Sequence, residues 1–428
     1  MAQISDDCFA FSGPLLPIVE MERLIAERVA PVTETETIAL RAAIGRVLAN
    51  DVMAPIDLPP FNNSAVDGFA VSHAQLAKSG ETALRIVDRI TAGSSAKSAL
   101  GPGQAMRIFT GAPMPTGTDT VFMQEDCRLE GDRVIVPPGL RSGANRRLAG
   151  EDVRKGSLAL PGGRRLAAQD VALAAALGLT MLPVLRRVRA ALFSTGDEVV
   201  EPGLPRGASA IYDANRFLLL GLLEGLGAEV TDLGILADEP ALLAENIAHA
   251  ARTHDLVLTS GGVSAGEADH VRTAIEKIGS LVFWRVAIKP GRPVATGVVP
   301  GSEPKSGDKT GAMFVGLPGN PAAVFVTFAR VVRPLLLRLA GAEPQPLVPL
   351  PVRAAFDYRK KEGRREYVRV ALRTAADGVV EAVKHAQEGA GVITSLTETD
   401  GLVELPESTT KIEPGAIVAF VPYAALTS

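Results

Sequence analysis

The stretch DLVLTSGGVSAGEADHVR, residues 255–272, constrains the fold of this chain more than any other segment. It opens with a short apolar run, residues 256–259, which predicts a buried parallel strand. The run ends in a turn of small residues and acids, and helical spacing follows: Gly261, Gly262, Ser264, Gly266, Glu267 and Asp269. Such a turn can direct backbone N–H groups toward an anion, and nearby acids can hold a divalent cation. An ordinary βα turn is the alternative, because glycines are common there.

Between residues 188 and 340 the chain alternates strand-like runs with helical ones, which predicts a doubly wound parallel sheet. In such sheets ligands bind beyond the carboxyl ends of the strands. Five segments follow the predicted strands and are therefore expected at one edge of the sheet: GDE (196–198), ADEP (237–240), GGVSAGEAD (261–269), KPGRP (289–293) and LPGNP (317–321). Asn320, followed by Pro321, is a predicted helix N-cap, and Asn215 is the predicted N-cap of an earlier helix.

Modules of a different kind flank this α/β part. Before it, the spacing predicts helices over 18–29, 35–48 and 166–178. Between residues 84 and 136 the runs are short and separated by turn residues, which predicts a small β-barrel or sandwich inserted between the helical pieces. After the α/β part, a proline-rich linker at 341–351 leads to short strands that predict a second small β-domain.

Composition and charge argue against several classes of function. A net charge of −4 disfavours electrostatic binding of nucleic acid, which requires a basic surface. Cys8 and Cys127 stand far apart with no CxxC or Cys/His companion, so neither a disulfide framework nor a zinc site is predicted. The start of the chain lacks the pattern of a secretory signal, and the longest uncharged stretch, residues 171–185, is too short to span a bilayer. We expect a cytoplasmic protein that binds neither nucleic acid nor membrane.

Each charged candidate also has an ordinary structural explanation. Asp67 with Gly68 predicts a tight turn, and Asp197 is best interpreted as an acid that complements a helix dipole. Asp238 stands at a helix start, and Lys289 before a Pro-Gly turn is typical of a solvated surface. The histidines lack ligand-like spacing, and we interpret them all as structural or surface residues: His73, His249, His254, His270 and His385.

Ten segments spread along the whole chain form a specific set. They are PPFNNSAVDGFAV (59–71), RIFTGAPMPTGTDTV (107–121), GEDV (150–153), FSTGDEV (193–199), YDANR (212–216), TSGGVSAGEADHV (259–271), AIKPGRP (287–293), GLPGNPAA (316–323), GRREYVRV (363–370) and IEPGAIVAFVP (412–422). A lone SGGVS would indicate only a shared α/β module. In this number and order the segments resemble the bacterial molybdopterin molybdenumtransferase family, which includes the C-terminal domain of gephyrin.

The resemblance implies a multidomain α/β plus β fold. Its parts are an elongated helical segment for dimerisation (1–54 and 140–187), an inserted small β-domain (55–139), a central doubly wound parallel-sheet domain that binds molybdopterin (188–340) and a C-terminal β-barrel domain (341–428). It also implies a homodimer in which the active cleft lies between the α/β domain of one subunit and parts of the other.

The implied reaction takes adenylylated molybdopterin and molybdate, cleaves the diphosphate link with the help of Mg²⁺, and transfers molybdenum to the dithiolene. AMP leaves, and the molybdenum cofactor is the other product. The implied partners beyond these substrates are a molybdopterin adenylyltransferase and the molybdoenzymes that receive the cofactor.

The resemblance also assigns roles to individual residues. The implied catalytic residues are Asp67, Thr110, Asp152, Glu198 and Lys289. The implied substrate-binding residues are Gly261, Gly262, Ser264, Gly266, Arg285, Arg292, Pro318, Gly319, Asn320, Pro321 and Arg364. Backbone groups of the GGVS turn and of the LPGNP helix start would donate to phosphate, and the cations would attract molybdate, which is a dianion. The candidate Mg²⁺ ligands, which follow predicted strand ends, are Glu198, Asp238 and Asp269.

Four positions depart from the family pattern. Asn62 stands where many members have Asp, Val66 replaces Met, and Phe69 replaces Tyr, while Arg285 stands where some members have Lys. Asn62 is therefore not counted as a functional group. Two other functions remain open at this point: an adenylyltransferase, although such siblings are usually single-domain, and a scaffold that binds molybdopterin or a partner protein without turnover.

Overall fold

The computed structural model describes residues 15–261, 270–291, 293–301 and 311–427, with the backbone alone for residues 281–285. The chain divides into two compact units. We call residues 1–36, 45–49 and 184–428 the large unit, and residues 37–44 and 50–183 the inserted unit.

The helices and strands of the described residues follow in chain order. The α-helices are α1 (Ile18–Arg28), α2 (Ala168–Ala176), α3 (Asn215–Gly225), α4 (Pro240–Ala251), α5 (His270–Ile278), α6 (Pro321–Thr327), α7 (Arg333–Leu339), α8 (Thr394–Thr397) and α9 (Tyr423–Thr427). The strands up to the end of the inserted unit are β1 (Thr35–Ala39), β2 (Val52–Met53), β3 (Asn63–Ser64), β4 (Gly68–Val71), β5 (Thr82–Ile90), β6 (Gln104–Ile108), β7 (Thr120–Met123), β8 (Arg128–Glu130), β9 (Arg133–Val136), β10 (Arg146–Arg147), β11 (Leu158–Leu160) and β12 (Met181–Leu185). The later strands are β13 (Arg189–Thr195), β14 (Val199–Val200), β15 (Ile211–Tyr212), β16 (Glu229–Leu236), β17 (Leu256–Ser260), β18 (Ser280–Arg285), β19 (Ile288–Lys289), β20 (Pro293–Val299), β21 (Ala312–Leu317), β22 (Leu350–Ala354), β23 (Tyr358–Arg359), β24 (Arg365–Thr374), β25 (Val380–Lys384), β26 (Gly401–Leu405), β27 (Lys411–Ile412) and β28 (Ile417–Pro422).

A six-stranded sheet lies at the centre of the large unit, in the order β16-β13-β17-β21-β20-β18. Strands β16, β13, β17 and β21 are parallel. Strand β20 runs antiparallel to both of its neighbours, so β18 again has the direction of β21. The carboxyl ends of all the strands except β20 therefore meet at one edge of the sheet.

Both faces of this sheet are covered, which confirms the doubly wound fold. Ala190 and Leu192 of β13 belong to the core formed with α1, α3, α6 and α7. The alternate residues Ala191 and Phe193 belong to the core formed with α4 and α5 on the other face. Side chains of a strand alternate between faces, so a strand buried on both sides is apolar throughout, and this explains the continuous run of residues 190–193.

The C-terminal part of the large unit is a closed barrel, as the fold prediction required. Strands β24, β25, β22, β28 and β26 pair in that order, and β26 pairs again with β24. The interior contains alternate residues of each strand, such as Val368 and Val370 of β24. Strand β19, which lies in the chain between β18 and β20 of the central sheet, pairs in parallel with β24 through Lys289 opposite Glu366.

The inserted unit contains the predicted small β-module. Its sheet has the order β7-β4-β6-β5-β9-β8 and forms a half-barrel. Helix α2 confirms the predicted helix at 166–178, and Gly178 follows it with a φ of 80°.

One predicted helix is wrong. Residues 35–48 form the strand β1 and a 3₁₀ turn at Leu40–Ala42 instead of a helix. Thr35, Thr37 and Ile38 are β-branched and favour the strand, and Gly45 adopts a φ of 77°, which a helix cannot contain. The two units also divide residues 1–54 between them. The four-part domain division stays a prediction.

No helix within the described residues is both long and apolar enough to cross a membrane.

Candidate active site

The segments predicted to line one edge of the central sheet follow strand ends that are in register. Thr195 of β13 pairs with Leu236 of β16, and Ser194 of β13 pairs with Ser260 of β17. Ser260 in turn pairs with Leu317 of β21. The turn that begins after Lys289 lies at the same edge, because it connects the carboxyl end of β18 to the amino end of β20. The structure thus brings the described parts of all five segments to one edge, where ligands of such sheets bind.

Asp238 lies immediately beyond β16, beside the end of the adjacent strand β13. Its Oδ1 accepts a hydrogen bond of 3.1 Å from the Thr195 hydroxyl, and Thr195 is buried. The His270 Nδ1 lies 3.5 Å from Asp238 Oδ2. Sequence reasoning missed this contact with Asp238, because His270 was interpreted only as a structural or surface residue. These contacts fix the Asp238 carboxylate at the sheet edge while its side chain remains 17% exposed.

Glu198 lies beyond β13, and its carboxylate folds back over the chain. A Cβ built on Gly196 would lie 2.8 Å from Glu198 Oε2, so a side chain there would displace the carboxylate. Gly196 also has a φ of 138°, a conformation that favours glycine. The glycine of the GDE segment therefore makes room for the Glu198 carboxylate.

The chemistry of this donor set fits Mg²⁺. Glu198 and Asp238 supply carboxylate oxygens beyond adjacent strands, and Mg²⁺ is usually bound by one or two carboxylates with waters and substrate phosphates completing its octahedron. The described residues contain no group of three or more His, Cys, Asp or Glu side chains arranged to hold a metal ion by themselves. Asp269, the third predicted ligand, lies outside the described residues.

Lys289 is held by the barrel of the same chain. Its Nζ donates to Glu366 Oε2 at 3.1 Å and to the Tyr358 hydroxyl at 3.3 Å, and that hydroxyl donates to the same carboxylate at 2.8 Å. The Arg364 Nη2 donates to the other oxygen of Glu366 at 3.3 Å. Two predicted anion-binding cations, Lys289 and Arg364, thus share one buried carboxylate.

The charge state of Lys289 follows from these contacts. Desolvation lowers the pKa of Lys289, but hydrogen bonds to Glu366 and Tyr358 raise it more, so the pKa lies above its ordinary value. Burial, followed by the hydrogen bond to Glu366, raises the pKa of Tyr358. Lys289 is therefore a cation and Tyr358 a neutral hydroxyl at physiological pH.

Lys289 opens onto a cavity of about 550 Å³ between the sheet edge and the barrel. The predicted residues Pro318 and Asn320 also line it. The barrel adds polar lining that the sequence-based assignment missed: Tyr358, Tyr367, Arg369, Lys384, His385, Gln387 and Glu388. One signal for a role of the barrel was present in the sequence, since Glu366 alternates in phase with the core positions Val368 and Val370, where a carboxylate requires partners.

Two backbone donors predicted to face phosphate are already occupied. The N–H of Gly261 donates to Leu317 O at 3.1 Å, and the N–H of Ala322 donates to Ala390 O at 2.9 Å. Asn320 stands at the N-cap position of α6, but its side chain makes no capping hydrogen bond. The predicted helix start, with Asn320 at the N-cap position and Pro321 at the first helical position, is therefore confirmed, while the barrel loop rather than the Asn320 side chain satisfies part of it.

The prediction of Asn215 as an N-cap is wrong. Ala214 occupies the N-cap position, and Asp213 accepts the N–H of Arg216 at 3.1 Å in place of a cap. The Asn215 side chain donates instead to Ser260 Oγ and to Gly319 O.

The other predicted catalytic residues lie in the inserted unit. Asp67 Oδ1 accepts hydrogen bonds from the N–H of Thr110 at 2.8 Å and from its hydroxyl at 2.7 Å. These two bonds, the backbone one first, lower the pKa of Asp67, so it is a carboxylate at neutral pH. Asp152 is exposed, and its backbone N–H donates to Leu58 O. Asn62 accepts the N–H of Ala149 at 2.8 Å, which is a structural contact.

Several predicted site residues fall outside what the structure describes. They are Gly262, Ser264, Gly266, Asp269 and Arg292. Arg285 ends β18 opposite Pro293, and only its backbone is described.

The sequence matches three family models in order along the chain. These are the MoeA N-terminal region (domain I and II) over residues 16–178, a probable molybdopterin binding domain over 191–338 and the MoeA C-terminal region (domain IV) over 351–423.

Sequence alignments with curated relatives cover nearly the whole chain. The molybdopterin molybdenumtransferase of Haemophilus influenzae is 36% identical over 393 residues, which span 91% of this chain and 94% of that protein. The protein of the same name from a Nostoc species is 38% identical over 389 residues, which span 89% and 87% of the two chains. The solved structure of the molybdopterin biosynthesis moeA protein from Pyrococcus horikoshii has a TM-score of 0.79 at 29% identity, covering 96% of this chain and 100% of that one. The chain belongs to the molybdopterin molybdenumtransferase family and is an enzyme of the transferase class.

Proposed function

We propose that the chain inserts molybdenum, supplied as molybdate, into adenylylated molybdopterin and releases AMP together with the finished molybdenum cofactor. The observation that carries this proposal is the pairing of opposite charges at one sheet edge. Carboxylates of Glu198 and Asp238 lie beyond β13 and β16, while the cation Lys289 lines the cavity next to the barrel and shares the Glu366 carboxylate with Arg364. A substrate with a diphosphate link and a separate oxyanion requires both kinds of group.

The cation cluster is the proposed site of molybdate. Molybdate has four oxygens and two negative charges and no hydrogen-bond donor at neutral pH, so it requires donors that stay protonated. Lys289 meets this requirement, since its pKa is raised by Glu366 and Tyr358. Arg364 adds a second permanent cation through the same carboxylate. Glu366 is only 1% exposed and contacts both cations, while the Lys289 side chain is 47% exposed and keeps a donor for the oxyanion.

The carboxylates are the proposed ligands of Mg²⁺. Bound there, Mg²⁺ would neutralise charge on the phosphate oxygens and make AMP a better leaving group. The chain's own part is to hold the ligands ready: Thr195 orients Asp238 through its hydroxyl, and Gly196 leaves space for Glu198. Water would add to one phosphorus as the anhydride P–O bond breaks, so that AMP departs and the pterin keeps a phosphate monoester. The two dithiolene sulfurs would then bind molybdenum, and one molybdate oxygen would leave as water with the two thiol protons.

We extend the proposal to the assembly and to its surroundings. A homodimer is supported by apolar side chains that the inserted unit leaves exposed, including Met53 and Leu158, which are both 51% exposed and face each other across β2 and β11. A molybdopterin adenylyltransferase would supply the substrate, molybdoenzymes would take the product, and the cytoplasm is the proposed location.

A turnover assay tests the proposal. Purified protein is incubated with adenylylated molybdopterin, Mg²⁺ and increasing molybdate, and AMP and molybdenum cofactor are followed together. We expect AMP release to depend on molybdate and to fall by about 10–100-fold in Asp238→Asn and Glu198→Gln. Added Mg²⁺ should partly restore both variants. Glu245→Gln, which removes an exposed carboxylate from α4, is the matched control and should keep full activity.

The two competing functions give different results in the same assay. An adenylyltransferase would consume ATP and molybdopterin and would release no AMP from the adenylylated substrate. A scaffold would bind the adenylylated pterin tightly and give no AMP at any molybdate concentration. Either outcome would discard the proposed transfer of molybdenum.

A further inference from the structure

The Asn215 side chain connects three segments at the sheet edge. Its Nδ2 donates to Ser260 Oγ at 2.9 Å and to Gly319 O at 2.7 Å. Ser260 is the last residue of β17, and Gly319 belongs to the turn between β21 and α6. Asn215 itself is the first residue of α3. Both amide hydrogens of one side chain are therefore used to join elements that are 45 and 104 residues away.

Hydrogen bonds also link the turn after β17, which contains Ser260, to the turn after β21, which contains Gly319. The Ser260 hydroxyl donates to Pro318 O at 3.3 Å, and the next residue, Gly261, donates its N–H to Leu317 O. Removing the Asn215 amide leaves Gly319 O without this donor, while the Ser260 and Gly261 bonds between the two turns remain. Asn215 therefore connects both turns to α3.

The start of α3 is itself fixed, so Asn215 is held in place. The neighbouring Arg216 is 4% exposed and forms an ion pair with Asp213 at 3.0 Å. The same guanidinium contacts the carboxylates of Asp232 and Glu201. Four charged groups therefore anchor the backbone at position 215, and the amide reaches the turns from a rigid base.

A second feature distinguishes Asn215 from an ordinary structural asparagine. Its Oδ1 is buried and has no hydrogen-bond partner among the residues that the structure describes. A buried acceptor without a partner is costly, and stable cores rarely retain one. The two hydrogen bonds from Nδ2 require an amide at this position, and they offset the free-energy cost of the unpaired Oδ1.

We propose that Asn215 is a positioning residue that sets the separation of the β17 and β21 turns and thereby the affinity for the phosphate-bearing substrate. This inference rests on the proposed function. Gly319 adjoins Pro318 and Asn320, which line the cavity, so a displaced turn changes the shape of the substrate site. Aspartate is nearly the same size but has no donors, and it would place a negative charge against the Gly319 carbonyl.

The test compares Asn215→Asp with the wild type in two measurements. Titration with adenylylated molybdopterin in the absence of molybdate gives the dissociation constant, and turnover gives kcat and KM. Loss of two hydrogen bonds predicts a rise in the dissociation constant and in KM of about 10–100-fold, with kcat changed by less than about threefold. Asn246→Asp is the matched control, because that exposed asparagine of α4 contacts only a backbone carbonyl of its own helix.

A double-mutant cycle with Ser260→Ala completes the test, and Ser260→Ala alone tests the same connection if Asn215→Asp folds poorly. Since Asn215 acts through Ser260, the two substitutions together should weaken binding by less than the product of their separate effects. Hydrogen exchange should also accelerate at the backbone amides of Gly261 and Ala322. The inference would be overturned if Asn215→Asp bound the substrate with unchanged affinity, or if the effects in the cycle were fully multiplicative. A loss of kcat at constant KM would overturn it as well. Wild-type protein that binds the substrate but releases no AMP would instead contradict the proposed function, and the affinity ratio would still decide the role of Asn215.

Discussion

At the scale of single residues, the buried Glu366 determines the charge of the proposed molybdate site. The raised pKa of Lys289 lies above 10.5, so the stabilising pair is fully formed below pH 10.5 and is lost as the pH rises through that raised pKa. In Glu366→Gln the desolvation that lowers the pKa remains, while the carboxylate that raises it is gone. The pKa of Lys289 therefore falls.

The expected result is that the alkaline limb of kcat/KM moves to lower pH in Glu366→Gln, because neutral Lys289 no longer attracts molybdate. The measurement is kcat/KM for molybdate between pH 7 and the alkaline limit of stability. Glu404→Gln removes another half-buried barrel carboxylate, the partner of Arg365, and should leave the limb in place. An unchanged limb in Glu366→Gln would remove Lys289 from the oxyanion site.

The carboxylate of Asp67 provides a second prediction at this scale. The Thr110 backbone and hydroxyl donors lower its pKa below 3.8, so their contribution is present above pH 3.8 and is lost as the pH falls through the lowered value. Thr110→Val removes only the hydroxyl donor and should bring the pKa part of the way back. A carboxyl-detected NMR titration of Asp67 checks both values, and an equal midpoint in wild type and variant would show that the hydroxyl bond is not formed in solution.

The sequence predicted the positions of the charged site residues well, but it predicted the helix-capping residues less well. The strand-end carboxylates Asp238 and Glu198 lie at the expected edge because strand order fixes their place. The predicted cap at Asn215 failed because the capping preference considers only the next few residues, whereas the acceptors of the Asn215 side chain lie far along the chain. Glu366, the partner of Lys289, could not be predicted for the same reason, because it lies 77 residues away along the chain.

At the scale of elements, two glycines should respond to alanine in opposite ways. In β4, a Cβ on Gly68 would lie 1.7 Å from Phe122 O on the neighbouring β7, so Gly68→Ala must push the strands apart. We expect it to lower the free energy of unfolding by about 1–3 kcal/mol or more. In α3, a Cβ on Gly221 meets no atom within 4 Å, and Gly221→Ala should raise stability by about 0.5–1 kcal/mol. Urea denaturation measures both, and a stabilising Gly68→Ala would contradict the close approach of β4 and β7.

Element types were predictable where the hydrophobic period is unambiguous. The alternation of apolar strands with amphipathic helices between residues 188 and 340 specified the central sheet, since each face must be covered. The antiparallel direction of β20 could not be predicted, because its sequence is as apolar as that of a parallel strand. Residues 35–48 were misassigned because apolar residues there match a helical period by chance, while β-branched residues and Gly45 favour strand and turn.

At the scale of the whole molecule, the fold and the family could be predicted from the order of ten motifs, but the assembly could not. Homodimerisation came from the resemblance alone, and no stretch of sequence indicates it independently. The structure adds an observation from the inserted unit, where Met53 and Leu158 expose half of their side-chain surface as cross-strand neighbours. Leu148, Ile56 and Phe61 of the same unit are also exposed. Water-exposed apolar side chains in such number are typical of a surface that another chain covers.

The proposed dimer predicts a mass of twice 44.7 kDa in light scattering after size-exclusion chromatography. Met53→Asp and Leu158→Asp place a charge where the second copy would exclude water, so each should shift the mass toward that of one chain. Leu129→Asp, at a side chain that is 60% exposed on the edge strand β8, is the matched control and should leave the mass unchanged. Because the proposed active cleft uses both subunits, the dissociated variants should also lose AMP release while they still bind molybdate at Lys289. A monomeric wild type with full turnover would show that one chain is sufficient for the reaction.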